Sequence, residues 1–442
     1  MKLRDRLKAG KTITSEIIQA TETVPVAYNE FKAQIHRKLV DELELSKLEQ
    51  LPPDEVRTQL RATISRLIVD TDVPLNRIER ERLVVELLDE ITGLGPLEPL
   101  LADPGISDIL VNRYDTVFIE KDGKLYETKT QFRSNAHLLQ IINRIVSRTG
   151  RRVDETSPMV DARLPDGSRV NAIVPPLAID GPALSIRRFG VQPIGPTDLL
   201  ASGTLSEMML NFLAVGVKSK LNILVTGGTG TGKTTLLNVL SSFIPPGERV
   251  ITIEDAAELQ LQQRHVVRLE TRPPNIEGQG EVLQRDLVRN SLRMRPDRIV
   301  VGEVRGPEVL DMLQAMNTGH EGSMSTVHAN SPRDAITRLI AMVGMSGIQF
   351  SEQVMSQTLA RALDLLIHLS RSTDGKRRVT SICEITGTEG MVITMQDIFK
   401  FEQHGVDKDG NILGEMVHTG IRPQCMDRIR QAGYGGQVEW VS

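Results

Sequence analysis

Residues 222–237 read NILVTGGTGTGKTTLL. Apolar, largely β-branched residues lead in, Gly227 is followed by four residues and then by Gly232-Lys233-Thr234, and a leucine-rich run leads out. This is the pattern GxxxxGK[ST] placed between a strand and a helix, the context that its chemistry needs. Glycines let the backbone curl until successive N–H groups face phosphate oxygens, and the helix N-terminus adds its positive end. The expected phosphate-binding residues are Gly227, Gly228, Thr229, Gly230, Thr231, Gly232, Lys233, Thr234 and Thr235. Lys233 neutralises β and γ oxygens and the Thr234 hydroxyl ligates Mg²⁺, so the expected ligands are ATP and Mg²⁺.

Such a loop binds nucleotide without hydrolysing it, which directs attention to acids at neighbouring strand ends. ITIEDAAEL places Glu254 and Asp255 after one apolar run, and RIVVGEVRG places Glu303 after another. In an α/β sheet the carboxyl ends of the strands face the ligand crevice, so these acids converge on the phosphates. Further out, the strand-like NILVT, RVITIE, VVRLE, RIVVGEV and MSTVHA alternate with the helix-like TTLLNVLSSF, EVLQRDLVRNSL, PEVLDMLQAM and PRDAITRLIAMV. That alternation predicts an α/β core with helices on both faces of its sheet over residues 204–442.

Upstream the pattern changes. Residues 1–28 lack sustained periodicity and are expected to form a flexible arm. Phe31, Ile35 and Leu39, then Leu60, Ile64 and Leu67, then Val84, Leu87 and Leu88 recur at helical spacing and predict a three-helix bundle over 29–92. GLGPLEPLL breaks it at Gly93. The strand-like ISDILVN, a hairpin at Asp122-Gly123, a helix capped by Ser134 and a second hairpin at Pro165-Asp166-Gly167 make 93–190 an α+β domain. Residues 191–203, rich in Pro and Gly, are expected to be a linker and hinge.

Composition limits the partners. The chain has 442 residues, a formal net charge of −4 and 3% aromatic residues, a poor match to a protein that coats a duplex or stacks bases. No direct nucleic-acid contact is expected. Cys383 and Cys425 form no CxxC pattern and suit a reducing cytoplasm, and no apolar run is long enough to span a membrane.

Four ordered motifs carry a resemblance. GGTGTGKTT, ITIEDAAEL, LRMRPDRIVVGEVRG and TGHEGSMSTVHANSPRDAITRL resemble the Walker A, acidic box, atypical Walker B and His box of the type II/type IV secretion ATPase superfamily. GLGPLEPLLADPGISDILVN, RLPDGSRVNA, MQDIFKFEQHGVDKDGNILG and TGIRP look most like its CpaF branch, the assembly motors of tight-adherence (Tad) pili. The likeness covers residues from about 30 to 442 and implies a RecA-like P-loop ATPase domain preceded by an α+β N-terminal domain and a small helical bundle. It further implies a homo-hexameric ring at the inner face of the cytoplasmic membrane, associated peripherally through an inner-membrane platform protein. In that setting Glu254 would orient or deprotonate the attacking water, and Glu303 would support Mg²⁺ through water. His320 and His328 fit the His box; they are eight residues apart with no cysteine beside them, which does not suit zinc.

Phosphoryl transfer gains from an arginine delivered by another domain or subunit. Arg163 and Arg169 on the DARLPDGSRVN hairpin are the candidates, followed by Arg187 and Arg188; Arg293 and Arg305 also match family positions. Two other readings share the P-loop core: a hexameric nucleic-acid translocase, and a nucleotide-gated scaffold with little turnover.

Overall fold

A computed structural model describes residues 26–42, 52–71, 75–121, 123–148, 150–189, 194–274, 278–408 and 410–437. The chain divides into two compact units, 1–190 and 191–442. In the first, helices α1 (Val26–Glu42), α2 (Pro53–Val69) and α3 (Arg77–Thr92) bury Phe31, Ile35, Leu39, Leu60, Ile64, Leu83 and Leu87 against one another, as their spacing predicts. Helix α3 begins with a reciprocal cap: the Glu79 N–H donates to Asn76 Oδ1, and the Asn76 N–H donates to Glu79 Oε2. The expected arm lies outside the described residues except for its last three, which open α1.

After the short helix α4 (Glu98–Ala102) come β1 (Ile106–Arg113), β2 (Thr116–Lys121), β3 (Lys124–Glu127), α5 (Asn135–Ser147), β4 (Met159–Arg163), β5 (Arg169–Ile173) and β6 (Ala183–Arg187). The strands form an antiparallel sheet of order β3-β2-β1-β6-β5-β4, and both expected hairpins are present. Asp122, in the first turn, is outside the described residues. Ser134 caps α5 by accepting the His137 N–H. The apolar face of that helix, Leu138, Ile141, Ile142 and Ile145, packs into the core beneath the sheet.

The second unit opens with α6 (Pro196–Ala201) and α7 (Glu207–Lys218). Here the structure corrects the reading of 191–203 as a linker. Residues 191–193 are not described, but Pro196 starts a helix whose Leu199 is buried in the core of this unit. Proline is tolerated in a first helical turn because its missing N–H would have no partner there anyway.

Then follow β7 (Ile223–Gly227), α8 (Lys233–Ser241), β8 (Val250–Glu254), β9 (Val266–Glu270), α9 (Gln284–Ser291), β10 (Arg298–Val301), α10 (Glu308–Asn317), β11 (Met324–His328), α11 (Pro332–Gly344) and α12 (Glu352–Ala362). Strands β12 (Leu365–Arg371), β13 (Arg377–Glu389), β14 (Val392–Val406) and β15 (Ile412–His418) complete a nine-stranded sheet, and α13 (Cys425–Gln431) follows.

Its order is β15-β14-β13-β12-β7-β11-β10-β8-β9. The pairs from β12 to β9 are parallel, and those from β12 to β15 antiparallel. Ile223 and Val225 enter one core and Leu224 the other, so β7 is buried on both faces, as its unbroken apolar run implied. Arg298, wholly buried at the start of β10, is held by Glu248 and by the carbonyls of Val217 and Gly322. Among the described residues no helix is long and apolar enough to cross a membrane.

Candidate nucleotide site at the carboxyl rim of the parallel strands

The loop between β7 and α8 takes its shape from its glycines. Gly227, Gly230 and Gly232 have φ of 155°, 70° and 97°, values that strain any residue with a Cβ. At Gly227 a Cβ would also lie 2.4 Å from the Leu369 carbonyl oxygen. Thr231 closes the curl by donating to the Gly228 carbonyl. Gly228 is partly exposed, Thr229 and Gly230 are exposed, and Lys233, Thr234 and Thr235 form the partly buried first turn of α8. The Lys233 ammonium donates to the Gly227 and Gly228 carbonyls at 3.0 and 2.8 Å. Burial holds its pKa below the ordinary lysine value, opposed by the nearby Glu303 carboxylate.

Glu254 ends β8 and is 4% exposed. Its Oε1 accepts the backbone N–H groups of Glu258 and Leu259 at 2.8 and 3.0 Å, which fixes the acidic loop, while its buried Oε2 has no hydrogen-bond partner. Burial pushes its pKa up to about 7, against the pull of those two N–H donors. Strand β10 pairs in parallel with β8 at Val301 and Ile253, so Glu303 follows the neighbouring strand end. Arg305 donates to Glu303 Oε2 through Nε and Nη2, and its Nη1 reaches Asp255 Oδ2 at 3.6 Å. A curled loop, a helix-terminal threonine and a buried carboxylate oxygen with no partner fit a magnesium nucleotide.

Strand direction sorts the remaining candidates. His328 ends β11 in register with Gly227, at the rim of the phosphate loop. His320 lies before that strand begins, on the side where Ser323 and Gly322 contact Asn222. The structure therefore does not bring His320 to the phosphate loop of its own chain; a strand's length intervenes, and its buried Nδ1 has no partner. Arg293 precedes β10 and is likewise at the opposite rim.

Within the N-terminal unit, Arg163 pairs in register with Arg169, and Arg169 with Arg187, which puts three arginines in one row across β4, β5 and β6. Like charges directly opposite each other are unfavourable. The next residue in the row is Asp108, 3.2 Å from Arg187. Arg188 instead donates to the Asp103 carbonyl, a structural tie.

Two residues at this rim have no motif in the sequence. His368 on β12 is buried against β7, with Nδ1 2.7 Å from Thr226 Oγ1, and burial lowers its pKa. Arg377 on β13 donates to the Gly230 carbonyl at 2.9 Å and so touches the phosphate loop itself. Their position depends on β12 inserting beside β7, a pairing across about 140 residues that no local pattern announces.

Comparison with known proteins agrees with this geometry. The family described as "Type II/IV secretion system protein" matches residues 90–434, and "Type II secretion system protein E, N-terminal domain" matches residues 28–92. A putative conjugal transfer protein of Mycobacterium tuberculosis is 40% identical over 312 residues, covering 69% of this chain and 88% of that protein. Conjugal transfer protein TrbB of Rhizobium radiobacter is 32% identical over 310 residues, 69% of this chain and 91% of that protein. Among solved structures, the VirB11 ATPase of the Brucella suis type IV secretion system is 27% identical, with a TM-score of 0.36 over 65% of this chain and 95% of that one. Phosphate loop and sequence agree: the chain belongs to the type II/IV secretion system protein family.

Proposed function

We propose that this chain is the ring ATPase of a Tad-type pilus or related secretion machine, a homo-hexamer that drives an inner-membrane platform from the cytoplasmic side. The observation that carries the reading is the pair of glutamates, Glu254 and Glu303, at adjacent strand ends beside the Lys233 loop. Lys233 and the loop amides hold the triphosphate, and Thr234 and Glu303 hold Mg²⁺, which when bound supplies positive charge to the β and γ oxygens. Glu254, buried and with a pKa near neutrality, is suited to take a proton from the attacking water. His328 lies beside the loop as a polar contact for the phosphates. Arg163 and Arg169 are the candidates for a charge delivered from another subunit.

Hydrolysis does mechanical work if ATP makes contacts in one conformation that ADP does not make in the other, because only differential contacts shift an equilibrium.

The test pairs mass measurement, with and without a non-hydrolysable ATP analogue, with steady-state phosphate release by wild type, Lys233→Ala and Glu254→Gln. A ring motor assembles with the analogue, Lys233→Ala loses nucleotide binding, and Glu254→Gln retains ATP but loses turnover. A monomer whose phosphate release equals that of Lys233→Ala would end this reading. Unchanged turnover in Glu254→Gln would favour the nucleotide-gated scaffold, and strand-stimulated, steeply salt-dependent hydrolysis the translocase.

A further inference from the structure

Two carboxylates from neighbouring strand ends share one guanidinium. Arg305 holds Glu303 Oε2 with Nε at 3.0 Å and Nη2 at 2.6 Å, and its third nitrogen reaches Asp255 of the acidic loop. The backbone beneath it is fixed. Glu308, 6% exposed, accepts the N–H groups of both Arg305 and Gly306, and Gln284 donates to the Glu303 carbonyl. The guanidinium is therefore anchored at its root but half exposed at its head, where it can exchange partners without the loop refolding. Both Arg305 and Glu303 lie within electrostatic range of Lys233.

We propose that Arg305 is a positioning residue that competes with Mg²⁺ for Glu303 and is handed to Asp255 when the metal nucleotide takes that carboxylate. This rests on reading Glu303 as a support for Mg²⁺. Two cations cannot both neutralise one carboxylate at full strength, so the strength of the Arg305 pair sets how much Mg²⁺ the site needs. Asp255 acts in the opposite sense: by offering Arg305 a second anion, it lowers the cost of releasing Glu303. Acidic box and Walker B strand thus become one element, since a cation arriving at one alters the charge balance of the other.

The experiment measures equilibrium binding of a fluorescent ADP analogue to the full chain across a Mg²⁺ titration. Arg305→Gln should lower the Mg²⁺ midpoint by roughly two- to fivefold, the range of a half-exposed ion pair. Asp255→Asn should raise it by a similar factor. Arg305→Lys, which keeps the charge but loses the two-nitrogen grip, should fall between wild type and Arg305→Gln. In a Glu303→Gln background Arg305→Gln should have no further effect. Thermal melts confirm that each variant is folded, and a general loss of structure would weaken binding in all of them instead of moving two midpoints in opposite directions. A midpoint unmoved or raised in Arg305→Gln, or moved the same way in both single variants, overturns the proposal. A wild type that binds no ADP at any Mg²⁺ concentration would instead strike the nucleotide site itself.

Discussion

Gly302 leaves no room for a side chain beside Glu254: a Cβ there would lie 2.8 Å from Cγ of Glu254 and 3.2 Å from its Oε1. The glutamate cannot simply swing aside, because Oε1 is pinned by the N–H groups of Glu258 and Leu259 and the residue is buried. The glycine between Val301 and Glu303 is thus explained by the neighbouring strand's carboxylate and not by its own backbone conformation.

Gly302→Ala is therefore expected to displace Glu254 while leaving the phosphate loop intact. Overpacking of this kind costs about 1–3 kcal/mol of stability. Turnover should fall by roughly ten- to a hundredfold with ADP affinity little changed. Steady-state kinetics beside equilibrium ADP binding checks this, and a parallel loss of both would mean that the loop, not Glu254, had moved.

The raised pKa of Glu254 has a consequence for activity and another for stability. If the carboxylate takes a proton from water it must be ionised, so the acid limb of the rate profile should fall near its pKa of about 7. For stability, the folded-state value lies above the ordinary 4.5, so the folded chain binds the proton more tightly than the unfolded one. The stabilisation is complete below the unfolded value and is lost as pH rises through the folded one. Glu254→Gln, which never ionises, should be increasingly stabilised relative to wild type from about pH 5 to about pH 8, by on the order of 3 kcal/mol at full ionisation. Urea unfolding across that range measures it; a constant difference would show that burial of the charge is not the cause.

Arg377 reaches the phosphate loop from the antiparallel part of the sheet, donating to the Gly230 carbonyl. Its Cδ lies only 3.6 Å from where a Cβ of Gly232 would stand, so it braces the loop at two of its left-handed glycines. Arg377→Ala should weaken nucleotide binding by roughly three- to tenfold with kcat less affected, the effect of losing one charge-assisted hydrogen bond that orders a binding loop. Calorimetric titration with ADP separates this from a catalytic role, which would lower kcat and leave affinity alone.

These residues also mark where the sequence stops being legible. Helix and strand periodicities located the three-helix bundle, the hairpins and the parallel strands, because those signals are local: Ile223 to Gly227 is an unbroken apolar run and Leu138 to Ile145 keeps helical spacing. The phosphate loop was legible for the same reason. The extension by β13, β14 and β15 was not, since β14 mixes buried, partly exposed and exposed residues with little alternation. His320 and His328 show the converse error. The His-box resemblance put both in one site, but five residues of β11, rising about 3.3 Å each, put them at opposite rims of their own chain. His368 and Arg377 required the β12 to β7 pairing, which chain topology supplies and no motif encodes.

In the N-terminal unit, Glu90 on α3 and His137 on α5 meet at 2.8 Å, each about 5% exposed, and join the helical bundle to the α+β domain. Burial alone would favour the neutral acid, but the His137 hydrogen bond, with Lys32 at 3.7 Å and Arg133 at 4.0 Å, outweighs it and holds the Glu90 pKa below its ordinary value. A depressed carboxyl pKa stabilises the fold above the unfolded value and loses that contribution as pH falls through the folded one. His137→Ala should therefore destabilise this unit near neutral pH by about 3 kcal/mol, because it leaves Glu90 buried with more distant partners. The loss should shrink as pH drops below the carboxylate range, where Glu90 takes up its own proton. Hydrogen exchange of the α3 and α5 amides at two pH values reads this directly: the variant should open faster at neutral pH and approach wild type in acid. Equal opening at both values would mean that the pair fills space but carries no charge coupling.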